Sequence, residues 1–114
     1  MSGMNSKEFA KYLRRDNGGC VHCGETERLS IQHRAGRGMG GSKSLNRPSN
    51  LIVLCSDLNS RIESDAEVAE YARQNGWKIT RWQDPDFEPV WYATEGRWYL
   101  LDDFYERSVW LSGK

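Results

Sequence analysis

The chain contains no run of 18 apolar residues, no charged-then-apolar leader and no net charge. The first absence excludes a hydrophobic helix that spans a bilayer, so no membrane partner is expected. The second predicts a cytoplasmic protein. There is no internal repeat and no low-complexity run, so solenoid and linker architectures do not apply. Cysteine is scarce: Cys20, Cys23 and Cys55 cannot all pair with one another, and two of them stand at C-x-x-C spacing. That pattern favours a reducing compartment and metal ligation over a disulfide framework. At 114 residues the chain reads as one domain, 1–114, large enough for a core yet small enough for a metal to help hold it.

Zero net charge speaks against a nucleic-acid partner until its distribution is read. Residues 1–61 carry ten Lys or Arg and five acids, +5, whereas residues 62–114 carry six and eleven, −5. Between His33 and Ser56 stand Arg34, Arg37, Lys43 and Arg47 with no acid. A one-sided basic segment is the footprint of phosphate contacts, although a solvated surface loop can have the same composition.

Periodicity and punctuation set the coarse organisation. Residues 5–15 predict an amphipathic helix with Phe9, Tyr12 and Leu13 on one face, stopped by Asn17-Gly18-Gly19. RLSIQH (28–33) alternates as a short strand, and LIVLC (51–55) reads as a buried one. Four glycines and Pro48 exclude a regular element over residues 34–49. A helix is expected from about Asp57, with Asn59 and Glu63 four apart on one face. Ser64 and Glu67 form a candidate capping box for a second helix, closed near Gly76. The remainder, including WKITRW, PVWYA and RWYLL, reads as strands and turns, with its five tryptophans expected in the core rather than as stacking platforms.

Three fragments stand in an informative order: the CVHCG knuckle (20–24), then Gln32-His33-Arg34 running into a Gly-rich basic loop, then PSNLIVLC (48–55) followed by Asn59. Strand, loop, strand and helix, with a histidine ending the first strand, resembles the HNH endonuclease family, whose core is the ββα-metal (His-Me finger) fold. The similarity is greatest to small HNH proteins encoded by bacteriophages of actinobacteria. It is carried by HRAGRGMGGS (33–42), PSNLIVLC, NSRIES (59–64), GWK (76–78), PVW (89–91) and GRWYLLDD (96–103), and covers residues 20–103. The resemblance implies an α+β protein with a ββα-metal core at about 20–64 and an N-terminal helix. A Trp-rich extension of one helix and strands follows at about 65–114.

The resemblance also implies roles. His33 matches the general base that takes a proton from the attacking water, a task suited to an imidazole, whose free pKa is ~6.5. Asn50 matches the middle asparagine that ties down loop backbone and orients the base, and Asn59 matches the third position of the motif. The divalent ion, Mg²⁺ or Mn²⁺, would be held by Gln32, Asn59 and Glu63. Gln32 and Asn59 depart from the family pattern: neutral amides stand where Asp, Glu or His is usual before the base, and where His is usual at the third position. Each offers an oxygen to a hard cation without a carboxylate's charge, which Glu63 could supply. An ideal strand points Gln32 and His33 to opposite faces, so the strand must bend for both to serve one site.

Relatives with a structural zinc carry a second C-x-x-C, which here would be Cys55 and Leu58. Leucine cannot ligate, leaving Cys20, Cys23 and Cys55 as three sulfurs where four ligands are usual. Asp57 or His22 is the candidate fourth, with His22 expected to be badly placed inside the knuckle; loss of the zinc is the other possibility. The expected partner is double-stranded DNA, bound through Arg34, Arg37, Lys43, Arg47 and Arg61 with weak sequence preference. Two functions follow: an endonuclease acting on DNA, in association with phage packaging and inside the host cytoplasm, or a catalytically silent relative that binds DNA or a host protein.

Overall fold

Helix α1 (Ser6–Arg15) begins where the Asn5 side chain accepts from the Glu8 N–H at 2.8 Å, an N-cap that satisfies one of the helix's unpaired donors. The structure is a computed structural model and describes residues 4–36 and 45–111. Tyr12 is the buried apolar residue of α1, and its ring meets Tyr105 edge-on at 5.2 Å. Arg15 and Asp16 continue inward as an ion pair of 2.8 Å, and Asp16 also accepts from the Val53 N–H and the Tyr92 hydroxyl.

Strand β1 (Leu29–His33) pairs antiparallel with β2 (Leu51–Cys55), with Leu29 opposite Cys55 and His33 opposite Leu51. A 3-10 turn, Pro48–Asn50, leads into β2, with Pro supplying a preset φ at its start. Leu51 and Val53 face Tyr12, while Ile52 and Leu54 face the larger core around Val21, Trp77, Val90 and Tyr92. Burial on both faces explains why LIVLC is continuously apolar rather than alternating. Each such side chain contributes ~1.5–3 kcal/mol by leaving water.

Helices α2 (Ser56–Ser64) and α3 (Ala66–Gln74) follow directly. Their boundary departs from the expected capping box: Asp65 accepts from the Glu67 and Val68 N–H groups, while Ser64 still belongs to α2 and donates to the Ser60 carbonyl. The Asp carboxylate one residue later serves two donors at once, which outcompetes Ser64.

WKITRW is not a strand. After α3, the Trp77 and Lys78 N–H groups both turn back to the Ala72 carbonyl, and only Ile79 bridges to Ala35. Gly76 makes the turn at φ +75°, where an added Cβ would sit 2.0 Å from the Pro89 carbonyl oxygen. A second antiparallel sheet, β3 (Val90–Tyr92), β4 (Arg97–Leu101) and β5 (Arg107–Val109), closes the chain in that order. PVWYA and RWYLL supply β3 and β4, and β5 has no counterpart in the sequence reading. The tryptophans divide: Trp77 is fully buried, whereas Trp82 is 81% exposed.

Among the described residues this is a small α+β protein of three helices and two small antiparallel sheets. Val21 ties its parts together, donating to the Val53 carbonyl and accepting from the Ala93 N–H. No helix among these residues is long and apolar enough to cross a membrane.

Candidate active site

The end of β1, the face of α2 and the turn after α3 enclose an open cleft of about 450 Å³. Its walls include Gln32, His33, Gly36, Asn59, Glu63 and Lys78. Adjacent strand residues therefore both reach the cleft, and helical spacing brings Asn59 and Glu63 to it together.

Hydrogen bonds orient each side chain. The His33 Nε2–H donates to Asn46 Oδ1 at 2.9 Å. An amide oxygen only accepts, so this contact selects the Nε2–H tautomer and leaves Nδ1 as the basic nitrogen. Asn59 uses its amide protons on Ser30 Oγ (2.9 Å) and the Ile31 carbonyl (3.1 Å). Gln32 is buried and donates to the Trp77 carbonyl at 3.0 Å. With the amide nitrogens engaged, the atoms that Gln32 and Asn59 can offer a cation are carbonyl oxygens, joined by the Glu63 carboxylate. Such an all-oxygen set suits a hard divalent ion, with one negative charge rather than two or three.

Asn50 is fully buried behind the cleft. Its Oδ1 accepts from the Ala35 N–H at 2.8 Å, and its Nδ2 donates to the carbonyls of Leu45 (2.9 Å) and Ala35 (3.3 Å). One side chain thus clamps backbone on both flanks of residues 36–44, the bracing role that the motif implies.

The expected phosphate contacts need correction. Arg34 is fully buried, not on the surface: it donates to the carbonyls of Gly76, Ser49, Pro85 and Glu88 at 2.6–3.1 Å. Burial pulls its guanidinium down to about 10. Arg47 is enclosed by Asp103 (2.9 Å), Asp86 (2.6 Å) and Asp84 (3.5 Å), so its surroundings carry a surplus of negative charge. Arg61 is exposed and faces Asp57 at 3.6 Å, a pairing weak enough to exchange for a phosphate. Arg37 and Lys43 lie outside the described residues. Among the described residues, Lys78, to which the sequence reading gives no role, is the Lys or Arg that lines the cleft. Its only signal there is its membership of the GWK segment, because it lies 45 residues from His33 in the acidic half of the chain.

The knuckle forms a second centre. The Cys20 N–H donates to the Glu25 carbonyl, and the Gly24 N–H to the Cys20 carbonyl, closing a tight turn with Gly24 at φ +80°. The ligand atoms of Cys20, His22 and Cys23 all lie within 4.8 Å of one another. The expectation that His22 is badly placed is therefore overturned: its ring packs edge-on to Trp77 at 5.1 Å and Tyr71 at 6.2 Å, which holds it beside the sulfurs. Burial lowers the His22 pKa, keeping the ring neutral as a ligand must be.

Burial pushes the Cys20 thiol up to about 11, against N–H groups of Cys23, Cys55 and His22 that favour the thiolate. Several backbone donors converging on one sulfur is an environment made for a metal-bound thiolate, whose charge the ion offsets. With Zn–S bonds of ~2.3 Å, tetrahedral ligand atoms lie roughly 3.7 Å apart, inside the 4.8 Å that bounds this group. Cys55 packs against the hydrophobic core that includes Cys20, and its sulfur accepts from the Leu58 N–H at 3.4 Å. Asp57, exposed and turned to Arg61, is outside the group. Cys20, His22 and Cys23, with Cys55 nearby, could hold a metal such as zinc.

Comparison with protein-family models, with curated proteins and with solved structures finds no match to this chain.

Proposed function

We propose that this protein is an HNH-type, ββα-metal endonuclease that hydrolyses phosphodiester bonds of double-stranded DNA. The observation that carries this reading is the shared cleft: a histidine with a basic Nδ1, two amide oxygens and one carboxylate converge on it from a strand end and the helix after the hairpin. A bound Mg²⁺ or Mn²⁺ supplies Lewis-acid stabilisation of charge on the phosphoryl and departing sugar oxygens. Gln32, Asn59 and Glu63 would hold that ion.

His33 Nδ1 takes a proton from water as the water oxygen bonds to phosphorus. The P–O bond to the sugar then breaks, leaving a phosphate monoester on one fragment and, once the departing oxygen is protonated, a hydroxyl on the other. Asn46 keeps the imidazole in the tautomer that can accept, and Asn50 keeps the backbone beside it from shifting. Zinc on Cys20, His22, Cys23 and Cys55 has a structural part, since the knuckle is stitched to β2 through Val21 and takes no wall of the cleft.

Supercoiled plasmid incubated with Mg²⁺, Mn²⁺ or Ni²⁺ tests the reading. Nicking should appear, and His33→Ala should lose ~10²-fold or more in rate. Absence of nicking with every metal, alongside retained DNA binding, would establish the second reading, a silent HNH-fold binder of DNA or a host protein. That reading draws its support from the neutral side chains at Gln32 and Asn59.

A further inference from the structure

We infer that Lys78 is the cation that holds the scissile phosphate in the cleft, and that buried Arg34 is the positioning residue that keeps it there. The inference rests on the hydrolytic reading of the cleft for the identity of the ligand, a phosphodiester.

The electrostatics carry the first half. A phosphodiester brings one negative charge, and more builds on its oxygens during attack. Among the described residues, Lys78 is the only Lys or Arg that lines the cleft. Glu63 on the same cleft has the opposite sign. Of the cations expected from sequence, Arg34 lies in the core and Arg47 among three aspartates, while exposed Arg61 faces Asp57 and is not on the cleft wall. No carboxylate among the described residues is within 4.0 Å of the Lys78 ammonium, which leaves that charge available for a ligand. A lysine ammonium is a compact point charge on a flexible stem, suited to following a phosphate oxygen.

Positioning carries the second half. The backbone on both sides of Lys78 is held to the end of β1: the Trp77 carbonyl accepts from Gln32, and the Ile79 N–H donates to the Arg34 carbonyl at 2.8 Å. The Arg34 guanidinium then fastens the start of this segment at Gly76 and its far end at Pro85 and Glu88. One arginine, next in sequence to the base, therefore holds Lys78 at a set place relative to His33. Side-chain ordering at a fixed backbone is what a phosphate clamp requires.

Titration of a duplex oligonucleotide at several salt concentrations, with the zinc-loaded protein and no Mg²⁺ or Mn²⁺ added, tests the contact apart from catalysis. Lys78→Met should weaken binding and reduce the magnitude of the log–log salt slope by about 1, while Lys78→Arg should keep the wild-type slope. In the nicking assay, Lys78→Ala should be slow and regain rate with ethylammonium but not with tetramethylammonium at equal ionic strength. An unchanged affinity and slope in Lys78→Met overturns the inference, as does an equal loss of slope in the Met and Arg variants, which marks a merely structural residue. If wild type binds with the Lys78-dependent slope yet never nicks, the phosphate contact stands and the hydrolytic reading falls.

Discussion

The Arg34 side-chain Nε–H donates to the Gly76 carbonyl at 2.8 Å, joining the residue after the candidate base to a turn 42 positions further along the chain. Three further bonds, to the carbonyl oxygens of Ser49, Pro85 and Glu88, engage both terminal nitrogens of the guanidinium. Carbonyl dipoles make the direct contacts with this buried charge, and the more distant charges of Glu88 and Asp86 also favour it. Its value is geometric, because the planar fork satisfies four acceptors from three segments at once.

Arg34 should therefore behave as a core residue. Arg34→Met should lose ~3–5 kcal/mol of stability in urea unfolding, since it strands several buried carbonyls. Arg34→Lys should also be destabilised, because an ammonium cannot reproduce the fork. A variant as stable as wild type would contradict this assignment.

The knuckle predicts one zinc per chain. Elemental analysis of purified protein should find it, and chelation should lower the thermal midpoint, because a ligand bound only by the folded state stabilises it. Cys20→Ser should abolish the zinc, and His22→Ala should release it to a competing chelator at lower concentration than wild type. Full zinc retention in His22→Ala would assign the fourth position to another group.

Acid should destabilise the protein through Asp103 and Glu95. Burial raises both carboxyls, but the Ser49 N–H and Arg47 outweigh it at Asp103, and Tyr99 with Arg107 outweigh it at Glu95, so both pKa values end below normal. A carboxylate depressed in the folded state contributes stability above its unfolded pKa of ~4 and loses it as pH falls through the folded value. The contribution of these two carboxylates to unfolding free energy should thus be level near neutrality and decline below about pH 4. The Glu95→Gln variant should show a shallower decline; an unaltered one would remove Glu95 from the cause.

Much of the fold around the cleft was legible because its rules are local. Alternation marked β1 and helical spacing joined Asn59 to Glu63, whereas the brace at Asn50 was an implication of the family resemblance and not of any local rule. Local rules failed where two candidates stood side by side: Ser64 and Asp65 both suit a cap, and the backbone geometry chose the aspartate. They failed again at WKITRW, whose apolar alternation resembles a strand. The N–H groups of Trp77 and Lys78 instead satisfy the end of α3.

The sequence by itself determined the hairpin-then-helix order, the thiol-rich knuckle and the histidine at a strand end, since each depends on residues within a few positions of one another. Only the tertiary structure decided which charges reach the cleft. Burial and ion pairing are set by segments far apart in the chain. Residues 76–88 draw Arg34 inward, Asp84, Asp86 and Asp103 surround Arg47, and Trp77 and Tyr71 hold His22 beside its sulfurs. The same long-range packing brings Lys78, from the acidic half, to the cleft. A charge pattern read along the chain carries no information about which side chains the fold will take out of water.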